Sequence, residues 1–223
     1  MNQHDLSDDA LLEVVSDGSE PEADEPEGGV IILDPPITEN NQDYSRVNLA
    51  EPTIYHVLSA SQVIGKRPTL ATVYDSQIRL VSLVAGIPER AVKRFPSSVL
   101  DRAVDYVSAF EEANRRGPDF EASDLDLRPE KVILFAKPIP GGGQQFSEMR
   151  LREPEVSERR RFKVIEGGAT VQDSLKAEFQ LVEDVSGWNR AALLRLPISK
   201  FVEASEYLTG FFMAGQQTGK NSL

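Results

Sequence analysis

Catalysis draws on histidines, cysteines, paired acids or activated serines, and this chain offers little of each. Its 223 residues include two histidines and no cysteine. The lack of cysteine excludes disulfides, thiolate metal sites and cysteine nucleophiles. His4 lies in an acidic N-terminal stretch. His56 falls in a predicted helix, where a lone imidazole is more often structural or solvated than a ligand. No serine stands in a Gly-x-Ser-x-Gly elbow. Gly141-Gly142-Gly143 lacks the Lys-Ser/Thr and the following helix of a phosphate loop, so it reads as a turn between strands. Glu51 and Glu153 each precede a proline at a helix start. A carboxylate there is favoured by the helix dipole and caps the helix, and no second acid recurs beside it to make a catalytic pair. The one basic cluster is Glu158-Arg159-Arg160-Arg161 with Lys163. It reads as a solvated helix face or as a receiver for an acidic segment, the chain's own N-terminal tail included. No enzymatic activity, cofactor or metal is expected.

The elements that carry these residues occur twice. Val30-Ile31-Ile32-Leu33 through Glu51-Pro52 matches Val132-Ile133-Leu134-Phe135 through Glu153-Pro154 at a constant offset of 102 residues. The repeat divides the chain into two units, each small enough for an isolated core to be marginal, so the units should pack on each other or on a partner. In each, an apolar run, a polar proline-bearing stretch and a second apolar run predict two strands joined by a hairpin loop. Helices then start at Pro52 and Pro154, since proline is tolerated at a first helical position, and close at Gly65 and Gly167–Gly168. The hexamers Ala71–Ser76 and Ala169–Ser174 open second helices, after which the offset settles at 101. A short third helix leads to Phe95-Pro96 or Leu196-Pro197. Last helices follow, with apolar stripes through Val99, Ala103, Tyr106 and Phe110 and through Phe201, Ala204, Leu208 and Phe211.

The fold class is therefore α+β, mainly α. Two repeated units, each an N-terminal hairpin with three to four helices, follow a disordered acidic tail. The expected boundaries are 1–29 for the tail, 30–116 for the first unit, 117–130 for a linker, 131–213 for the second unit and 214–223 for a disordered C-terminus. The formal net charge of −12 resides in the tail, whose ten acids face no Lys or Arg. The remainder has 26 acids against 24 bases, a poor balance for nucleic-acid binding. Within the tail, Ser7–Val15 reads either as solvated chain or as a short docking segment that folds on a partner. No signal peptide or membrane-spanning run is apparent.

The order of motifs in the second unit resembles a known family. Lys137-Pro138-Ile139, a glycine-rich turn, Met149-Arg150-Leu151-Arg152-Glu153-Pro154, helices, then Leu196-Pro197 and a last helix ending in Gly210-Phe211-Phe212 is similar to the small tail assembly chaperones of Mu-like and P2-like contractile-tailed phages. The first unit resembles them more loosely through Leu49-Ala50-Glu51-Pro52-Thr53 and Phe95-Pro96. Ser199-Lys200 and Ser98-Val99 stand where the family usually has an acid. The resemblance implies a non-catalytic protein of the host cytoplasm that binds the tape-measure protein, keeps it soluble, helps recruit tail-tube subunits and is absent from the mature virion. Self-association is a further partner contact it admits, and the alternative is a structural tail or baseplate component retained in the virion. Phe211, Phe212 and Met213, with Arg159, Arg160 and Arg161, are the candidate partner-binding residues.

Overall fold

The computed structural model describes residues 29–117 and 119–218. The acidic stretch before Gly29, with Ser7–Val15, and the last five residues lie outside these.

Each unit begins with an antiparallel hairpin. Strand β1 (Val30–Glu39) pairs with β2 (Gln42–Asn48), and β3 (Glu130–Gly141) pairs with β4 (Gln144–Arg152). Asn40 and Asn41 make the first turn and Gly142 and Gly143 the second, all four at positive φ. A two-residue turn of this hand matches the twist of its flanking strands. The strands therefore run through the proline-bearing stretches expected to be loop. The register breaks there, between Ile32 and Ile37 and between Leu134 and Ile139, because Pro35, Pro36 and Pro138 have no N–H to give a ladder.

Helices α1 (Ile54–Ile64), α2 (Leu70–Ala85), α3 (Glu89–Val92) and α4 (Ser97–Glu112) complete the first unit. A 3-10 turn at Ala122–Asp124 precedes the second hairpin. Helices α5 (Val156–Glu166), α6 (Val171–Ser186), α7 (Arg190–Leu194) and α8 (Ile198–Thr218) complete the second unit. The second helices start alike, with the Thr69 and Thr170 side chains accepting from the N–H of Thr72 and Asp173. They also end alike, with Gly86 and Gly187 in the left-handed conformation that closes a helix. Helix α8 continues to Thr218, which corrects the expectation of disorder from 214.

Two apolar cores form, but they do not follow the repeat boundaries. The first gathers Ile31, Val47, Ile78, Val92, Leu100 and Val107. The second gathers Met149, Leu151, Phe179, Leu194, Phe201 and Leu208, and with them Ile54 and Leu58 from the first unit. Helix α1 belongs to unit one by sequence and to the core of unit two by packing. The linker expected at 117–130 is fastened rather than loose. The Tyr207 hydroxyl donates to the Arg128 carbonyl at 2.6 Å, and Lys131 at the start of β3 pairs with Asp126 and Glu203.

Candidate functional site

The attachment of α1 to unit two is built from backbone first. Ile54 N–H donates to the Leu196 carbonyl at 3.0 Å, and Ile198 N–H donates to the Pro52 carbonyl at 2.8 Å. These bonds make an antiparallel bridge between Thr53 and Pro197. The Glu51 carboxylate then accepts from the Ser199 N–H at 2.8 Å. Residue 197 is a proline whose side chain has no oxygen to offer the first turn of α8, so Glu51 caps that helix from the other unit. The sequence placed Glu51 as a cap for its own helix; the carboxylate instead serves the partner unit's last helix. Behind this latch Ile54 and Leu58, one turn apart on α1, are both fully buried.

The corresponding place in unit one holds no such helix. The equivalents of Glu51, Pro52 and Ile54 are Glu153, Pro154 and Val156, and the equivalents of Leu196 to Ser199 are Phe95 to Ser98. Among the described residues no bridge or backbone hydrogen bond joins these two segments. Val156 is 87% exposed where Ile54 is 0%. Ser97 and Ser98 are exposed where Ile198 is buried. On α2, Tyr74 is exposed and Leu80 and Val84 are only partly covered; counted from the capping Thr69 and Thr170, which set the helices three residues apart from the hexamer match, their counterparts Leu175, Leu181 and Val185 on α6 are buried.

A charged cluster locks the two units where α4 meets α8. Arg115 lies 3.1 Å from Glu111, 3.0 Å from Glu178 of α6 and 3.7 Å from Glu206 of α8. Arg116 reaches Glu206 at 2.7 Å and also donates to the Glu206 carbonyl. Burial pushes the Glu178 carboxyl above the ordinary range, with Arg115 opposing the shift. His56 has a plain structural task. Its Nδ1 accepts from the Thr53 N–H at 3.3 Å, as the Glu158 carboxylate in unit two accepts from the Glu155 N–H at 2.7 Å. The two side chains fill the same capping position. Burial lowers the His56 pKa to about 4, so the imidazole is neutral and able to accept.

The candidate partner residues fall into three situations. Phe212 is core, not surface: it is 6% exposed, and its ring lies 5.3 Å from that of Phe162. Helix α8 meets α5 at this point, and the stripe turns its second phenylalanine inward. Phe211 is partly buried, edge-on to Tyr207, and Met213 is exposed beside Arg116. Arg159 lies over the Phe212 ring and donates to its carbonyl at 3.2 Å. Arg160 and Arg161 are both exposed, and Arg161 pairs with Asp184. The triple glycine is a packing device. Asn189 donates to the Gly141 carbonyl at 3.0 Å, and a Cβ at Gly141 would collide with the backbone of Ala192. Among the described residues no group of His, Asp or Glu is arranged to hold a metal ion, and no helix is long and apolar enough to cross a membrane.

Sequence reasoning passed over four apolar residues on the outer faces of the hairpins. Val30 and Ile32 alternate with the buried Ile31 and Leu33, and Val132 and Leu134 flank the buried Ile133. Ile32 is 66% exposed and Leu134, its equivalent, 69%. The signal was present. A run of four apolar residues in a two-stranded hairpin with one covered face must turn every second residue outward. Leu70 and Val171, equivalent first residues of α2 and α6, are likewise exposed in both units.

Comparison with known proteins returns one finding. The family model described as "Phage tail assembly chaperone proteins, E, or 41 or 14" matches the chain twice, at residues 30–112 and at 131–213. No curated protein and no solved structure matches.

Proposed function

This chain belongs to the phage tail assembly chaperone family, as a tandem duplication, and on that premise we propose that it binds the tape-measure protein while the tail is being built. The observation that carries the proposal is the pair of equivalent apolar faces, Val30 with Ile32 and Val132 with Leu134, left outward in both units. A single exposed leucine on a protein surface needs no explanation. The same outward positions kept apolar in two copies are what a repeated binding unit requires. A tape-measure protein exposes long apolar helical faces, and two tethered faces would hold one chain with a higher effective concentration than either alone. The protein acts here without catalysis. It works in the host cytoplasm, helps bring tail-tube subunits to the tape measure, and leaves before the virion is complete.

The test is co-expression of the full chain with the tape-measure protein, followed by affinity capture. The double variant Ile32→Glu, Leu134→Glu should lose binding by roughly tenfold or more, because each face would then present a carboxylate to an apolar partner. Its melting temperature should stay near that of the wild type, since both positions are exposed. Unchanged capture by that variant would overturn the proposed surface. Stoichiometric recovery of the protein from purified virions would replace this reading with that of a retained structural component of the tail or baseplate.

A further inference from the structure

We propose that the vacant position on unit one is filled by α5 of a second copy of this chain, giving a closed two-fold dimer. The template is inside the molecule. Unit two already holds a helix that enters by Glu51-Pro52-Thr53-Ile54, latched to Leu196, Ile198 and Ser199. Two units supply two such helices and two such receiving turns, and one chain satisfies only one of each. Left over are α5 with its lead-in Glu153–Val156, and the turn Phe95–Ser98 with the half-covered flank of α2. Two copies match both remainders reciprocally, each using the same pair of surfaces, and so close without an unmatched end.

Side chains on the two remainders suit each other better than they would suit the pair already made. The outward stripe of α5 is Val156, Arg160 and Val164, all exposed. At the position of Arg160, α1 has Leu58, which shares the second core with Val202 of α8. The unit-one counterpart of Val202 is Asp101, also exposed. Two residues that join one apolar core within the chain are thus replaced, on the two remainders, by charges of opposite sign. Either charge would be costly against the apolar version of its partner surface, so α5 is suited to unit one and unsuited to a place like that of α1. Val156 keeps the apolar character of Ile54 at the point where the backbone latch would form.

This inference stands apart from the tape-measure proposal, because it is read from the isolated protein. Sedimentation velocity of the full chain over about 1 to 100 µM should show a dimer that dissociates on dilution. Arg160→Asp should weaken the dimer by roughly tenfold or more, and Asp101→Arg should do the same. Combining the two should restore dimerisation to within about threefold of the wild type, since the pair is then reversed rather than broken. All of these positions are exposed in the single chain, so the far-UV spectrum should be unchanged. A wild type that stays monomeric throughout overturns the proposal, as does a double variant no better than either single one. A dimer that appears only after removal of residues 1–28 would also overturn it, assigning the basic helix to the acidic tail instead.

Discussion

Truncating Leu58 to alanine asks whether the repeat units or the packing units are the real folding units. Leu58 lies in unit one by sequence, yet its side chain is fully buried in the core of unit two. The substitution removes three carbons and leaves a cavity that the rest of this core, Phe201 and Leu181 among its members, can close only in part. Such losses cost about 3 kcal/mol, within a usual range of 2 to 5. With a urea dependence of about 2 kcal/mol per molar, the unfolding midpoint should fall by roughly 1.5 M. The chain carries its own reporter. Trp188 is the sole tryptophan, it belongs to unit two, and it packs between Phe135 and Phe146 at ring distances of 5.3 and 4.5 Å. Its fluorescence therefore follows unit two. If the units folded separately, Leu58→Ala would leave the Trp188 transition in place and change only the far-UV signal of unit one. A Trp188 midpoint coincident with the wild type would refute the shared core.

Two further outcomes follow from the titratable groups. His56 is held neutral with a pKa near 4, below its ordinary value of 6.5, so the unfolded chain takes up a proton first as the pH falls. Its contribution to stability is complete above pH 6.5 and is lost down to about pH 4, amounting to about 2 kcal/mol at pH 5. Comparison of urea unfolding at pH 7.5 and pH 5 should show this loss in the wild type and a smaller one in His56→Gln. Arg115→Met should destabilise the protein by about 3 kcal/mol at pH 8, because it leaves the Glu178 carboxylate buried without its cation. Burial raises the Glu178 pKa, so its carboxylate burdens the fold more as pH rises; the deficit should therefore be smaller at pH 5 than at pH 8, and thermal melts at the two pH values measure this.

Much of the architecture was legible because local chemistry and long-range pattern agreed. The offset between the units, the Leu-x-Glu-Pro lead-in and the apolar last helices each appear where the residues place them. Strand length was less legible, because Pro35, Pro36 and Pro138 suggest loop, while the turn at Asn40-Asn41 draws the strands together past an irregular register. Exposure at the end of α8 could not be read from spacing. Phe211 and Phe212 are neighbours on one helix, and only the position of Phe162 on another decides which is core. Least legible was the crossing of α1 into unit two. Ile54 and Leu58 form the same one-turn stripe whether a helix packs on its own unit or on the next. The contrast of Leu58 with Arg160 and of Ile198 with Ser97 held the clue, for a duplicated contact surface should not diverge in this way if both copies pack alike.

The latch between Ile54 and Leu196 also has a consequence in time. Its two ends are roughly 140 residues apart, so closing it waits on nearly the whole of the chain. During synthesis the hairpin of unit one and the core around Ile78 and Val81 can form early, but Ile54 and Leu58 emerge from the ribosome well before the residues of unit two that bury them, from Met149 to Leu208. The nascent first unit thus displays an apolar helix for several seconds at ordinary rates of translation. A chain released early would keep that helix exposed, and the completed chain sequesters it only with the arrival of its own last helix.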